Sequence, residues 1–187
     1  MDQIFPQVCR TIDSLMTNHS RLIVAIDGNC TAGKTTLAGL LEQHYDCSIL
    51  HMDDFFLRPE QRTPERFAQP GGNVDYERFQ QEVLTPLKAG VPFSYRPFDC
   101  STFTLAQPVE VVPKALTIIE GTYSHHPHFQ DPYDLKIFLG VTPEIQRQRV
   151  LQRPAFLHQR FFDAWIPMEE TYFRTFGIPE KADLVFQ

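Results

Sequence analysis

The sequence predicts an α/β protein in which a parallel sheet is covered by helices on both faces. Short, continuous apolar runs alternate along the chain with segments of helical periodicity, and such runs are typical of strands buried on both faces. One glycine-rich segment lies directly between an apolar run and a helical pattern. The 187 residues have the length of one domain with a substantial core, and no linker divides them. We therefore predict a single domain over residues 1–187.

The first part of the chain begins with an amphipathic segment. Apolar residues from Ile4 to Met16 recur on one helical face, which predicts an amino-terminal helix within residues 1–20. This helix could pack on the core or pair with a second subunit in a homo-oligomer. The next predicted elements are a strand at 22–26, a helix from about residue 34 and a strand at 48–52. An irregular segment rich in Pro, Gly and Arg follows at 58–74.

The second part of the chain continues the alternation. Helical spacing from Tyr76 is predicted to end near Pro86 or Gly90, and residues 91–113 suggest a small hairpin excursion. The capping hydroxyl of Thr142, followed by Pro and an acid, predicts a helix start. The remaining elements are buried strands at 116–120 and 135–139, a helix at 158–175 and a last strand at 182–186.

Composition excludes several classes of protein. The formal net charge is -6 and the basic residues form no block, which argues against nucleic acid as a partner. No apolar run approaches the roughly 18 residues that cross a bilayer, and no secretory leader pattern opens the sequence. The four cysteines are scattered without a Cys-x-x-Cys pair. We expect a cytoplasmic protein without a membrane partner.

The glycine-rich segment matches the phosphate-binding pattern G-x-x-x-x-G-K-[ST] in full. It follows a predicted buried strand and precedes a helix, which is the arrangement that this loop requires. Glycines let successive N–H groups surround an anion, the lysine reaches the β and γ phosphates, and the threonine hydroxyl serves Mg²⁺. The predicted nucleotide-binding residues are Gly28, Asn29, Cys30, Thr31, Ala32, Gly33, Lys34, Thr35 and Thr36.

Carboxylates end two of the predicted strands. Asp53 and Asp54 follow the second strand, where one of them could orient an acceptor hydroxyl and take its proton. Glu120 ends the third strand, at the position from which a P-loop fold sets an acid near Mg²⁺. Arg149 and Arg153 share one helix face after the fourth strand and could neutralise charge on the phosphates. A solvated helix face is the alternative for each arginine.

Three histidines, His125, His126 and His128, follow the third strand. They lack an i, i+4 pair and a cysteine partner, so we expect a loop of surface histidines and not a metal site.

These motifs together resemble the uridine kinase-like family of P-loop small-molecule kinases, which includes nicotinamide riboside kinases. The resemblance runs from about residue 21 to the end, so that residues 21–187 form the kinase core. Its motifs occur in the family's order: the glycine loop, Asp53-Asp54-Phe55-Phe56, Asn73-Val74-Asp75, Phe98-Asp99, Ile119-Glu120-Gly121 and the arginine-bearing segment after Thr142. The resemblance implies a P-loop NTPase three-layer sandwich with a five-stranded parallel sheet flanked by helices and a small lid segment.

The resemblance also implies roles for single residues. Asp53 would be the base that faces the acceptor hydroxyl, and Asp75 would hold ribose hydroxyls. Thr35 and Glu120 would lie on the magnesium side, and Arg149 and Arg153 would lie in the lid. Phe98 and Asp99 would contact the substrate, although the family's pair at this place is Tyr-Asp. Phe103 stands where the family has a base-reading His.

The sequence therefore predicts a Mg²⁺-dependent kinase that transfers the γ-phosphoryl group of ATP or GTP to a hydroxyl. The favoured acceptor is the 5′-OH of a nucleoside such as uridine. Nicotinamide riboside and a pantothenate-like alcohol remain alternatives. Two other classes stay open, a nucleotide-binding regulatory protein without transfer activity and a P-loop ATPase or GTPase switch.

Overall fold

The computed structural model describes all 187 residues as an α/β domain. Its strands are β1 (Leu22–Gly28), β2 (Cys47–His51), β3 (Phe93–Tyr95), β4 (Phe98–Asp99), β5 (Thr104–Leu105), β6 (Val109–Val111), β7 (Leu116–Glu120), β8 (Leu135–Leu139) and β9 (Leu184–Phe186). Its helices are α1 (Ile4–Met16), α2 (Lys34–His44), α3 (Pro64–Phe67), α4 (Tyr76–Phe79), α5 (Thr85–Ala89), α6 (Pro143–Leu151), α7 (Ala155–Arg160) and α8 (Ile166–Phe176). No helix combines the length and the apolar character that crossing a membrane requires.

The main sheet has five parallel strands in the order β2-β7-β1-β8-β9. β1 lies at its centre, with Val24 opposite Ile118 of β7 and Leu135 of β8. β7 is buried at all five positions, which fits its apolar residues Leu116, Ile118 and Ile119. The prediction of a five-stranded parallel sheet flanked by helices is confirmed. The carboxyl ends of β1, β2 and β7 meet at one edge, and their terminal residues form the candidate site.

Helices cover the sheet on both faces, and each face has its own core. On one face α1 and α2 pack against β1, with Val8, Ile12 and Leu37 fully buried. The amphipathic amino-terminal helix therefore packs on the core of its own chain. On the other face the segment from α4 to α5 packs with α8 in a cluster that includes Phe79 and Tyr172.

Several connecting segments are more regular than the sequence indicates. The irregular region contains a short 3₁₀ turn at Pro59–Gln61 and the helix α3. Residues 91–113 form two antiparallel ribbons, β3 with β6 and β4 with β5, instead of one hairpin. The helix expected at 158–175 is three pieces, since a π-helical turn at Phe161–Trp165 separates α7 from α8.

Candidate nucleotide and acceptor site

The glycine loop connects β1 to α2, and its backbone needs glycine at both ends. Gly28 has φ +143°, and a Cβ there would lie 2.0 Å from the carbonyl oxygen of Leu139 in β8. Gly33 has φ +98° and caps α2 in the left-handed region. Both positions are strained or closed to any residue with a side chain. The loop is therefore held in one curved path that ends at the positive end of α2.

Lys34 lies over this loop and is buried. Its ammonium donates to the carbonyl oxygens of Gly28 at 2.9 Å and Asn29 at 2.8 Å, and to Thr122 Oγ1 at 3.0 Å. Thr122 follows β7 and is not among the site residues that the sequence predicts. A polar residue two positions after a strand-terminal acid was the signal that could have revealed it.

The side chains of Thr35, Glu120 and His51 contact one another at the edge of the sheet next to Lys34. Thr35 Oγ1 lies 3.2 Å from Glu120 Oε1, and the same carboxylate oxygen lies 2.6 Å from His51 Nδ1. The hydrogen bond to Glu120 raises the pKa of His51, and burial opposes this rise. His51 had not been predicted as a site residue, although it ends β2 beside Asp53. The structure thus brings the two predicted magnesium-side residues into contact.

This group fits Mg²⁺ by the chemistry of its donors. The hydroxyl of Thr35 and the carboxylate of Glu120 are hard oxygen ligands, which this cation prefers. The protein contains no group of three or more His, Cys, Asp or Glu side chains arranged to hold a metal. Mg²⁺ typically takes one or two protein oxygens and fills its remaining positions with water and phosphate. Thr31 Oγ1 in the loop is also buried without a hydrogen-bond partner, which fits a phosphate-binding loop.

Asp53 stands in the 3₁₀ turn Met52–Phe55 that follows β2. It keeps exposed surface, but the surrounding protein atoms raise the pKa of its carboxyl. The positive charge of Lys34 lowers that pKa, and the negative charge of Glu120 raises it. Asp54 accepts a hydrogen bond from Tyr95 Oη at 2.8 Å. Of the two adjacent acids, Asp53 is therefore the one whose carboxylate has no hydrogen bond within the chain.

Asp75 is almost completely enclosed, with its side chain 2% exposed. Its Oδ1 accepts from the backbone N–H of Arg78 at 3.1 Å and caps α4. Its Oδ2 has no hydrogen bond and faces Arg58 Nε at 3.6 Å. The carboxylate thus holds a helix end and an arginine that lies over it.

The β4–β5 ribbon carries the remaining predicted substrate residues. Phe98 is buried, and Phe103, at the turn, is 45% exposed with φ +58°. Asp99 accepts hydrogen bonds from the backbone and hydroxyl of Ser101 at 2.7 and 2.6 Å, which lower its pKa. The carbon of the Arg62 guanidinium lies 4.9 Å from the Phe103 ring centroid and 5.4 Å from that of Phe98.

The predicted lid arginines differ in their contacts. Arg149 Nη1 on α6 donates to the carbonyl of Thr31 in the glycine loop at 2.8 Å. Arg153 lies just after α6, is exposed, and its side chain makes no hydrogen bond or ion pair. The segment after β8 therefore reaches the loop through Arg149.

A buried acid on α8 supports the loop from behind. Glu169 Oε2 accepts from the backbone N–H of Cys30 at 2.9 Å, and Gln146 of α6 donates to Glu169 Oε1 at 2.6 Å. Burial raises the pKa of Glu169, and the Cys30 N–H opposes this. Burial, followed by Glu169, raises the pKa of Cys30 to about 12, so its thiol stays neutral. No local pattern could have revealed this contact, since Glu169 and Cys30 are 139 positions apart.

The expectation of a loop of surface histidines after β7 is wrong for His125 and His126, whereas His128 is exposed. His126 is buried between Tyr76 and Tyr172, with ring centroids 4.4 and 6.0 Å away. His125 is directed toward β1, with its Nε2 3.2 Å from the carbonyl oxygen of Ala25. The 3₁₀ turn Pro127–Phe129 folds this segment back against the aromatic core, which period-based analysis of a short loop cannot anticipate.

The central strand followed by the glycine loop, the lysine over it and an acid on the neighbouring strand define a P-loop fold with a nucleotide site. No protein-family model matches the chain, and no curated protein matches it in sequence. Solved structures do match. A possible uridine kinase from Bacillus stearothermophilus superposes with a TM-score of 0.75 at 24% identity over 100% of both chains.

Two other solved structures are similar. D-glycerate 3-kinase from Cryptococcus neoformans var. grubii has a TM-score of 0.68 at 16% identity, covering 97% of this chain and 92% of its own. A protein provisionally described as a fructose transport system kinase from Silicibacter sp. TM1040 has a TM-score of 0.60 at 24% identity, covering 90% of each chain. At these identities the likeness defines the fold alone, which is the P-loop fold that these structures share.

Proposed function

We propose that this protein is a Mg²⁺-dependent small-molecule kinase that transfers the γ-phosphoryl group of ATP or GTP to a hydroxyl. The observation that carries the proposal is the placement of Asp53. Asp53 comes two residues after His51, which lies opposite Glu120 of β7, and Thr35 of the loop also contacts Glu120. A candidate base and the phosphate-binding loop therefore lie at the same edge of the sheet. A nucleotide switch or regulatory protein has no need of a base at this position.

The residues divide the work of phosphoryl transfer. Lys34 and the N–H groups of the glycine loop bind the phosphates of the donor, and Arg149 adds a positive charge at the rim. Thr35 and Glu120 would hold Mg²⁺, which neutralises phosphate charge when it is bound. Arg153 could join the phosphates from the lid.

Asp53 acts on the acceptor. It orients the hydroxyl and takes its proton as the oxygen forms a bond to the γ phosphorus, while the bond from that phosphorus to the β–γ bridging oxygen breaks. The products are the phosphorylated alcohol and the nucleoside diphosphate. The raised pKa of Asp53 makes its carboxylate a better proton acceptor than an ordinary aspartate.

The acceptor that the family resemblance implies is the 5′-hydroxyl of a nucleoside such as uridine, with Asp75, Phe98 and Asp99 in contact. Nicotinamide riboside and a pantothenate-like alcohol are the alternatives. The similar structures are described as kinases of uridine, of D-glycerate and of the fructose transport system, so the fold alone does not select one acceptor.

The decisive test is substitution of the proposed base. In Asp53→Asn, transfer of labelled phosphate from ATP to an accepted alcohol should fall at least a hundredfold, since general bases contribute about 10²–10⁴ to rates. Binding of ATP, measured by titration calorimetry, should persist. The matched control is Asp46→Asn, an exposed acid paired with Lys114 on the surface. Full transfer activity in Asp53→Asn would eliminate the base assignment.

The same assay separates the alternative classes. A regulatory protein would bind ATP but phosphorylate no alcohol in a broad panel. A switch ATPase would hydrolyse ATP at an undiminished rate when no acceptor is present, whereas a kinase couples turnover to its acceptor.

A further inference from the structure

Arg62 lies on the acceptor side of the cleft in an unusual setting. Its Nε donates to the carbonyl of Leu57 at 2.8 Å, and its guanidinium stacks against Phe98 and Phe103. A guanidinium held in this way cannot rotate freely, and its outer edge keeps two nitrogen atoms for a ligand. The aromatic pair that could have received a planar base is therefore engaged by an arginine of the same chain.

No acid neutralises Arg62. The neighbouring arginines are paired, Arg58 with Glu60 and Asp75, and Arg66 with Glu77 at 2.6 Å. Arg62 forms no ion pair, and its Nη1 and Nη2 atoms make no hydrogen bond within the chain. Arg62 is also half-buried, and this burial lowers the pKa of its guanidinium. A partly desolvated cation without a counterion favours an anionic ligand.

This cation belongs to the same cleft as the proposed base. The Arg62 guanidinium lies against Phe98 of β4, and β4 packs against the 3₁₀ turn Met52–Phe55 that carries Asp53. Arg160, at the end of α7, forms no ion pair, and its guanidinium carbon lies 5.1 Å from the ring centroid of Trp165. Arg62 thus lies beside the turn that carries Asp53, where the acceptor would bind, and it has no counterion in the chain.

The group that would recognise a neutral ribose is occupied in the same structure. Asp75 caps α4 with one oxygen, and Arg58 covers the other. A ribose diol would have to displace Arg58 to reach this carboxylate. A ligand on the acceptor side therefore reaches the Arg62 guanidinium more readily than the Asp75 carboxylate.

We propose that the acceptor is an anionic alcohol, in which a carboxylate or a phosphate is bound by the Arg62 guanidinium while a hydroxyl of the same molecule faces Asp53. This inference rests on the proposed kinase function and narrows its substrate class. Arg62 is fork-shaped and can bind either oxyanion through two parallel hydrogen bonds.

The test uses matched pairs of alcohols that differ in charge: glycerate with glycerol, pantothenate with panthenol, and fructose 6-phosphate with fructose, together with uridine. With labelled ATP and the full chain, the anionic member of at least one pair should have a kcat/KM about ten- to a hundredfold above its neutral partner. A preference in the glycerate or pantothenate pair would indicate a carboxylate as the bound anion, and a preference in the fructose 6-phosphate pair would indicate a phosphate.

Variants at position 62 then locate the effect. Arg62→Gln should reduce the preference for the anionic acceptor about tenfold or more, through KM for the acceptor, without changing the Kd for ATP. Arg62→Lys keeps the charge but loses the fork, and should lie between Arg62→Gln and the wild type. Arg10→Gln, an exposed arginine on α1, is the control and should behave as wild type.

The outcomes separate this inference from the proposed function. If uridine or a neutral alcohol is phosphorylated and no anionic alcohol is preferred, the anionic acceptor is overturned and the kinase stands. An anion preference that survives in Arg62→Gln also overturns the role of Arg62. If ATP binds but no alcohol in the panel is phosphorylated, both the kinase and its anionic acceptor are overturned.

Discussion

Individual side chains in this protein take their properties from their surroundings. Lys34 donates three hydrogen bonds at the loop, and the Asp53 carboxyl has a raised pKa because protein atoms displace water from it. His126 shows the same effect in the core. Burial between Tyr76 and Tyr172 lowers its pKa from the ordinary 6.5 to about 4. A histidine with a lowered pKa is neutral in the folded state and makes stability depend on pH.

The sign follows from the proton count. Between pH 6.5 and about 4 the unfolded chain binds a proton at His126 that the folded chain does not, so stability falls as the pH decreases through this range. The loss from this residue amounts to about 3 kcal/mol. In His126→Asn and His126→Phe, urea unfolding at pH 7, 5.5 and 4.5 should show a flatter decrease than in the wild type.

The two variants distinguish titration from packing. Phe keeps an aromatic ring between the tyrosines and Asn does not, so their stabilities at pH 7 should differ while both lose the pH dependence of His126. Burial also lowers the pKa of His125, so part of the dependence of stability on pH should remain in both variants. A decrease as steep as that of the wild type in both variants would contradict the assignment.

The elements that carry the site are joined through close backbone contacts. β1, the glycine loop and β8 meet where Gly28 touches the carbonyl of Leu139, and the N–H of Asn29 donates to that same carbonyl at 3.0 Å. The loop path therefore depends on the register of β1 against β8. A change at this contact should affect both stability and phosphate binding.

Two glycine substitutions test this dependence. Gly28→Ala places a Cβ 2.0 Å from the Leu139 oxygen at an unfavourable φ, and should destabilise the protein by more than about 2 kcal/mol and abolish ATP binding. Gly39→Ala in α2 meets nothing within 4 Å and should stabilise the helix by about 0.5–1 kcal/mol. Urea unfolding and ATP titration measure both effects. Normal ATP binding in Gly28→Ala would refute the close-contact argument.

The lid segment makes a separate prediction. Arg149 of α6 contacts the loop carbonyl of Thr31, so Arg149→Ala should lower kcat/KM for ATP about tenfold or more. Arg147 on the same helix stacks on Phe162 instead, with its guanidinium carbon 5.1 Å from the ring centroid. Arg147→Ala is the matched control, and we expect its kinetics to remain within about threefold of the wild type. Equal losses in both variants would mean that the lid acts through its packing and not through Arg149.

The whole chain contributes to the nucleotide site. The loop comes from residues 28–35, Thr122 from the segment after β7, and Glu169 from α8 near the carboxyl end. A ligand at this junction connects elements that are distant in sequence. Binding of ATP should therefore stabilise the entire fold and not only the loop.

Calorimetric melting measures this coupling. Mg²⁺ and ATP at about 100 times the Kd should add roughly 2.7 kcal/mol and raise the Tm by about 5–10 °C for a chain of this length. Lys34→Ala should lose this shift because its ammonium is gone from the loop, and chelation of Mg²⁺ should reduce the shift in the wild type. An undiminished shift in Lys34→Ala would show that the nucleotide binds elsewhere.

Much of the fold could be predicted because its signals are local. The buried strands at 116–120 and 135–139 have the predicted limits, since most residues of a parallel strand covered on both faces are apolar. The glycine loop can also be predicted from the sequence, because its positive φ angles require glycine at specific positions. Asp53 and Glu120 could be selected because parallel strands bring their carboxyl ends to one edge.

The tertiary structure alone decided which partners these residues have. Cys30 meets Glu169, Arg62 stacks on Phe98 and Phe103, and Arg58 covers Asp75. These contacts join segments that are far apart in the chain, and their geometry depends on how whole elements pack, so no periodicity or motif encodes them. The residues of the nucleotide side could therefore be predicted from the sequence, whereas the setting of Arg62, the positive charge proposed to bind the acceptor, is decided only by the tertiary structure.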